Sequence, residues 1–174
     1  MAVLVRRFVP IAILCAAAIL VVAACGGGSA DSGSEPPTEG PGLFMSSLIR
    51  QKATGQYDLA WKSLHPLHQQ VAPEKVYVRC ENLTVFPGRL MKVSVLRVWD
   101  EPVRIAGERE NVASKAVTLR VAVNSPGIPR PVVVKDTYHA VPVDGHWTWI
   151  LTANNFAQYK AGHCPGSGPP STKA

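Results

Sequence analysis

Residues 132–151 read VVVKDTYHAVPVDGHWTWIL, and this stretch decides the fold class that the sequence predicts. Asp144 and Gly145 separate two runs with the composition of strands, and both residue types tolerate a positive φ angle. An Asp-Gly pair between two such runs is typical of a tight β-hairpin turn. The stretch therefore predicts two antiparallel strands, residues 132–143 and 146–151, joined by that turn.

Two further strands are predicted upstream of this hairpin. Residues 117–123 alternate between large aliphatic side chains and smaller or polar ones, which is the period of a half-buried strand. Residues 93–99 are apolar on both faces, which predicts a central strand or one packed on both sides. The second half of the domain is thus predicted to be mainly antiparallel sheet.

The first half of the domain is predicted to be helical. Phe44, Leu48 and Ile49 recur at the spacing of one helical face. Pro66 interrupts a short second helix, and Pro73 suits the first turn of a third. Helices followed by antiparallel strands predict an α+β fold, in which N-terminal helices pack on a curved, mostly antiparallel sheet.

Two stretches resemble a known fold family. Residues 55–61 (GQYDLAW) with residues 64–66 (LHP) are similar to the opening helices of NTF2-like domains, and residues 143–149 (VDGHWTW) are similar to their last hairpin. The resemblance covers residues 43–156 and implies a cone-shaped domain whose bent sheet and helices enclose a pocket. The family includes enzymes, binding proteins and transport factors, so the fold leaves the function open.

The first 25 residues have the pattern of an exported lipoprotein. Two arginines give a positive start, and residues 8–24 are apolar but shorter than the roughly 20 residues that a spanning helix prefers. Residues 22–25 (VAAC) resemble the lipobox of bacterial lipoproteins. The resemblance implies a signal peptide of residues 1–24, a diacylglyceryl group on Cys25, and a location on the extracytoplasmic face of the cell membrane. The alternatives are a transmembrane anchor and ordinary secretion with an incidental cysteine.

The rest of the chain divides into a tether, a domain and a tail. Residues 25–42 contain the lipidated cysteine and a Gly-, Ser- and Pro-rich tether, which cannot form a hydrophobic core. Residues 165–174 have a similar composition and are predicted to be a disordered tail. The NTF2-like domain is then residues 43–164, a common size for one domain.

The balance of charge is mildly basic. The chain has 18 Lys and Arg against 12 Asp and Glu, a formal net charge of +6. Loss of the two leader arginines leaves 16 basic residues against 12 acidic residues, a net charge of +4. The basic residues are scattered singly through the predicted strands, without the dense cluster that nucleic-acid binding requires. We therefore expect no nucleic-acid partner, and a mild attraction to anionic lipid headgroups.

The sequence contains four cysteines. Cys15 would be removed with the leader and Cys25 would carry the lipid, which leaves Cys80 and Cys164. Two thiols in an oxidising compartment predict one disulfide. A redox or nucleophilic thiol is the alternative, but neither cysteine has a CxxC neighbour or a nearby base in the sequence.

Two groups of side chains are candidates for chemistry. His65 and His68 have a spacing that metal ligands use on a helix, but the intervening proline and the lack of a third ligand nearby favour a partly exposed helix end. Asp136, Tyr138 and His139 are of the types that NTF2-like enzymes use to move protons. Strand alternation places His139 on the opposite face from the other two, so all three cannot enter one pocket unless a bulge intervenes. No catalytic pattern of the family matches the chain residue by residue, and no catalytic set, cofactor or metal site is predicted.

A set of four aromatic side chains is the candidate lining of a pocket, with core packing as the alternative: Trp61, Tyr138, Trp147 and Trp149. The sequence favours a membrane-tethered, non-enzymatic binding or accessory lipoprotein. Its partner would be an apolar small molecule, a peptide or another envelope protein, and dimerisation through the sheet face is left open. The alternative is an NTF2-like pocket enzyme, an isomerase, dehydratase or hydrolase, that uses Asp136 or His139.

Overall fold

A computed structural model describes residues 39–84 and 86–166. The predicted signal peptide, the lipidation site at Cys25, most of the tether and most of the tail lie outside the described residues. The helices of the described part are α1 (Pro41–Ala53), α2 (Tyr57–Lys62), α3 (Pro66–Val71), α4 (Glu74–Leu83) and α5 (Ala153–Lys160).

The described strands are β1 (Arg89–Asp100), β2 (Val103–Arg104), β3 (Asn111–Val112), β4 (Lys115–Asn124), β5 (Val132–Val143) and β6 (His146–Trp149). One antiparallel sheet has the order β1-β4-β5-β6, and β2 pairs with β3 as a separate short ribbon. The predicted α+β class is confirmed, with N-terminal helices packed on a curved antiparallel sheet.

The position of the strand around residues 93–99 differs from the prediction. The sequence predicted a central or doubly packed strand, but β1 is at one edge of the four-stranded sheet, and β4 and β5 are central. Val95, Leu96 and Val98 remain 41%, 42% and 41% exposed. The apolar residues on both faces of β1 therefore form exposed apolar surface at the edge of the sheet. Local composition alone did not distinguish an edge strand from a central strand.

The two faces of the sheet are defined by β4. Its odd-numbered residues from Val117 to Val123 are buried in the core with residues of α1, α2 and α4. Every described residue of this core lies between Met45 and Tyr159, inside one compact unit. The unit therefore carries its own hydrophobic core, and we expect it to fold without the leader.

Local sequence signals account for several boundaries. Pro66 occupies the first turn of α3 and Pro73 is the N-cap residue of α4, positions where a missing N–H costs little. The turn between β5 and β6 consists of Asp144 and Gly145, with φ angles of 47° and 74°. The predicted hairpin is confirmed, and its turn uses the left-handed region that both residues tolerate.

The predicted cysteine pair is at disulfide distance. The sulfur atoms of Cys80 in α4 and Cys164 after α5 are 1.98 Å apart, and the residues are separated by 84 positions. All six strands and α5 lie between the two cysteines in the sequence. The disulfide closes a long loop and so restricts the unfolded chain strongly.

His68 holds three segments of the chain together and is fully buried. Its Nδ1 accepts a hydrogen bond of 2.8 Å from the backbone N–H of Leu151, so Nε2 carries the proton and donates to the carbonyl of Ala106 at 3.1 Å. The ring also packs against Phe156, with ring centroids 4.9 Å apart. Burial lowers the pKa of His68 below its ordinary value of 6.5, which keeps the imidazole neutral in this arrangement. The sequence-based expectation of a partly exposed helix end is wrong for this residue.

We expect reduction of the Cys80–Cys164 disulfide to lower the free energy of unfolding by about 4–5 kcal/mol, because the closed loop is long. Guanidinium unfolding of residues 26–174 with and without dithiothreitol measures this difference. The double variant Cys80→Ala/Cys164→Ala is the control and should show the lower stability in both conditions. A dithiothreitol effect of the same size in this variant would contradict the prediction.

We expect His68→Gln to destabilise the domain by about 2–4 kcal/mol, because at least one of two buried backbone groups loses its partner. The wild type should also lose stability as the pH falls below 6.5, since the unfolded state binds the proton that the folded state disfavours. That loss approaches about 1.4 kcal/mol per pH unit for each such histidine and should be smaller in the variant.

Urea unfolding at pH 7.5 and pH 5.5 checks both effects of His68→Gln. His163→Gln at an exposed position is the matched control and should follow the wild type at both pH values. An equal pH dependence in His68→Gln and the wild type would show that this imidazole does not titrate on unfolding.

Candidate functional site

A cleft of about 550 Å³ opens where the β5–β6 hairpin meets α1, α2 and the start of α3. Its apolar wall includes Phe44, Leu48, Leu59, Val143 and Trp147. Its polar and charged lining includes Glu39, Gln51, Lys62, Asp144 and His146. Both the volume and the mixture of an apolar wall with a few polar groups are typical of sites for small ligands.

Trp147 connects this cleft to the beginning of the described chain. Its indole Nε1 donates a hydrogen bond of 2.5 Å to the carbonyl of Glu39, a residue 108 positions earlier. Glu39 also lines the cleft and lies two residues before the start of α1. The segment that leads from the predicted tether therefore enters the domain at the edge of the cleft.

The structure does not gather the four aromatic residues predicted to line a pocket. Of these, only Trp147 lines the cleft. Trp149 is buried in the core, where its Nε1 donates to the carbonyl of Ala60 at 2.7 Å. The Nε1 of Trp61 donates to the carbonyl of Ala72 at 2.8 Å. Trp61 and Trp149 thus fasten the helices to each other and to the sheet.

Tyr138 is the fourth of these residues, and its side chain interacts with that of Asp136 on the same strand. Both side chains are on the helix-facing side of β5, because they pair in register with Leu119 and Val117 of β4. Burial, together with the Asp136 carboxylate and a hydrogen bond to it, raises the pKa of Tyr138 above its ordinary value of 10.0. Tyr138 therefore stays protonated at neutral pH and donates to Asp136, which is exposed and lies outside the lining of the cleft.

His139 lies on the other face of the sheet, as alternation predicted, because it pairs in register with Ala116. Its Nδ1 is 3.1 Å from the hydroxyl of Ser114, and that hydroxyl donates to the carbonyl of Glu101. Since the serine proton is already directed to a carbonyl, Nδ1 of His139 must be the donor to the serine oxygen. This orientation is the reverse of the one in which a histidine activates a serine nucleophile.

His65 and His68 do not form a metal site in this arrangement. Both nitrogens of His68 are engaged in backbone hydrogen bonds, and the ring centroids of the two histidines are 6.0 Å apart. The Nδ1 of His65 is buried without a hydrogen-bond partner among the described residues, and burial lowers its pKa from 6.5, opposed by Glu108. Within residues 39–84 and 86–166, no group of three His, Cys, Asp or Glu side chains could hold a metal ion.

A second polar cluster lies between α1 and α4. Nζ of Lys52 is 3.1 Å from a carboxylate oxygen of Glu81 and lies over the ring of Trp149, 4.9 Å from its centroid. The hydroxyls of Tyr77 and Tyr159 are buried nearby without hydrogen-bond partners among the described residues. Burial and the negative charge of Glu81 raise the pKa of both tyrosines. The cluster joins the helices and lies outside the cleft.

A smaller cleft of about 400 Å³ lies beside the β2–β3 ribbon and is lined by Arg104, Glu108 and Leu151, among others. It adjoins the segments that His68 joins. In the part of the chain that the structure describes, no helix is long and apolar enough to cross a membrane.

No protein-family model matches the chain, and a search of curated proteins finds no match.

Proposed function

We propose that the chain is a lipid-anchored binding lipoprotein, with an NTF2-like domain held on the extracytoplasmic face of the membrane through Cys25. The charged start, the short apolar run and the small residues before Cys25 support the export and anchoring steps. The α+β architecture and the Asp144-Gly145 hairpin support the NTF2-like domain type.

The observation that carries the binding role is the cleft of about 550 Å³ between the β5–β6 hairpin and α1. Apolar side chains form its wall, while Lys62, Asp144 and His146 place charged or polar groups in the lining. A ligand with an apolar body and a polar end matches this lining. A small amphipathic metabolite and a side chain of a short peptide both have an apolar body with a polar end.

The alternative enzymatic role has less support. Asp136 and His139 are on opposite faces of β5, and neither lines either cleft. Ser114 and His139 are in contact, but the hydroxyl proton of Ser114 is directed to a backbone carbonyl and not to the histidine. We therefore assign no general base or nucleophile, and the binding role is the one that we propose.

We expect a ligand to copurify with the full chain from its own host membrane and to be lost in Ser47→Trp. Ser47 lies on α1, is exposed and lines the cleft, so a tryptophan there would fill the cleft without removing a core side chain. Native mass spectrometry would detect the ligand as an added mass of defined size.

Ala157→Trp is the matched control, because Ala157 is an exposed helical position that lines neither cleft. It should retain the added mass. An added mass that persists in Ser47→Trp would place the ligand elsewhere. An empty wild-type monomer would favour a protein partner, and an empty dimer would favour assembly of two copies.

We expect Cys25→Ser to move the protein out of the membrane fraction. Without the thiol, no diacylglyceryl group can be attached, and a single residual interaction of the domain with the membrane is weak compared with two acyl chains. Membrane fractionation with intact mass measurement checks this result. Cys15→Ser, inside the apolar run, is the control and should remain anchored. Full retention of Cys25→Ser in the membrane after a high-salt wash, which removes electrostatic binding, would favour a transmembrane anchor.

A further inference from the structure

The face of the sheet that is turned away from the helices carries a concentration of positive charge. The registers of β1, β4 and β5 place five basic side chains on this side, together with the even-numbered residues of β4. All five are exposed, and we call them the basic face: Arg89, Lys92, Arg97, Arg120 and Lys135. These residues are far apart in the sequence, and only strand pairing brings them together.

In the described strands β1, β4 and β5, no acidic side chain lies on the same side as the basic face. The two acidic residues of the long strands β1, β4 and β5 are Asp100 and Asp136, and both lie on the helix-facing side. There they pair in register with Lys115 and Leu119, residues of the odd-numbered set of β4. The separation of charge by face therefore leaves the positive side chains without a compensating carboxylate in these strands.

Two of the basic residues lie directly opposite each other. Arg120 pairs in register with Lys135 on the neighbouring strand, at a strand separation of about 4.8 Å. Like charges at directly opposed positions destabilise a sheet. An anionic surface outside the chain would offset this repulsion.

Apolar side chains accompany these charges. Val133 in β5 is on the same side of the sheet and 57% exposed. The guanidinium of Arg97 lies over the half-buried Trp99 ring, 4.7 Å from its centroid. Met91 and Leu96 lie at the two irregular points of β1, where the register assigns them to neither face, and are 50% and 42% exposed. Basic residues combined with exposed aliphatic side chains and a partly exposed aromatic ring are typical of surfaces that lie at a lipid interface.

We propose that the basic face docks on an anionic lipid headgroup surface. The charge complementarity and the exposed apolar side chains carry this inference, and the choice of a membrane as the occupant rests on the proposed anchor at Cys25. In this orientation α1 and α2, on the other side of the sheet, are turned away from the lipid. The cleft then remains accessible from the side opposite the membrane.

The length of the tether permits this orientation. Glu39, whose carbonyl accepts a hydrogen bond from Trp147 beside the cleft, is 14 positions after Cys25 (39 − 25). A segment of this length spans at most about 46–50 Å when extended. The thickness of a helix layer packed on a sheet is about 20 Å. The chain can therefore pass around the edge of the domain to an anchor beneath the basic face.

The test is cosedimentation of residues 26–174 with vesicles. This segment contains the compact unit with its own core and lacks Cys25, so lipidation does not affect the result. We expect binding to vesicles of 30% phosphatidylglycerol in phosphatidylcholine at low salt, and no binding to pure phosphatidylcholine. Arg120→Gln/Lys135→Gln should bind about 25-fold more weakly, at about fivefold for each charge removed near the surface.

Arg50→Gln/Lys160→Gln is the matched control, because it removes the same charges from exposed positions in the last turns of α1 and α5. It should bind within about twofold of the wild type, since neither residue belongs to the basic face. Circular-dichroism melting of both double variants verifies that each is folded. The basic-face variant should be at least as stable as the wild type, because an opposed pair of like charges is removed.

Three results would overturn the proposal. The first is failure of the wild type to bind the anionic vesicles, and the second is an equal loss in the two double variants, which would reflect net charge alone. The third is binding to a single-stranded oligonucleotide or to polyglutamate without binding to vesicles, which would assign the basic face to a polymer. None of these results concerns lipidation, which the Cys25→Ser fractionation measures separately.

Discussion

The pairing of β4 with a long strand on each side is the constraint on which the rest of the domain depends. Its two-residue period sends Val117 and Leu119 into the core and Thr118 and Arg120 to the opposite face. A shift of the register by one residue would bury the charges and expose the core. Formation of the hydrophobic core and collection of the basic side chains on one surface are therefore consequences of the same hydrogen-bond ladder.

Features that depend on neighbouring residues were predicted well from the sequence. The hairpin at Asp144-Gly145 follows from two adjacent residues that accept a positive φ angle, and the strands follow from alternation. The pairing of Cys80 with Cys164 followed from the elimination of two other cysteines, which needed no knowledge of the fold. The helix α5 was missed, although Thr152, whose side chain accepts from the N–H of Asn155, is a recognisable N-cap residue.

Features that depend on strand order or on distant segments could not be predicted in the same way. The apolar run of β1 suits a central strand and an edge strand equally, and only the order of the sheet decides between them. His68 looked like an exposed histidine because its partners, Ala106 and Leu151, are 38 and 83 residues away. The cleft lies between the hairpin and helices from the other end of the domain. Trp147 was therefore predicted as a pocket residue, but the other residues that line the cleft were not.

The position of the Cys80–Cys164 disulfide has a mechanical consequence. Between these residues lie all six strands and α5, while α1, α2 and α3 lie outside the closed loop. A pull applied between the N-terminal side and the C-terminal end therefore follows a force path through the helices and then directly across the disulfide. The covalent path bypasses the sheet, so tension along the backbone would extend the helical segments and not the strands as long as the disulfide is intact. Stretching of the strands along the chain would require reduction of the disulfide first.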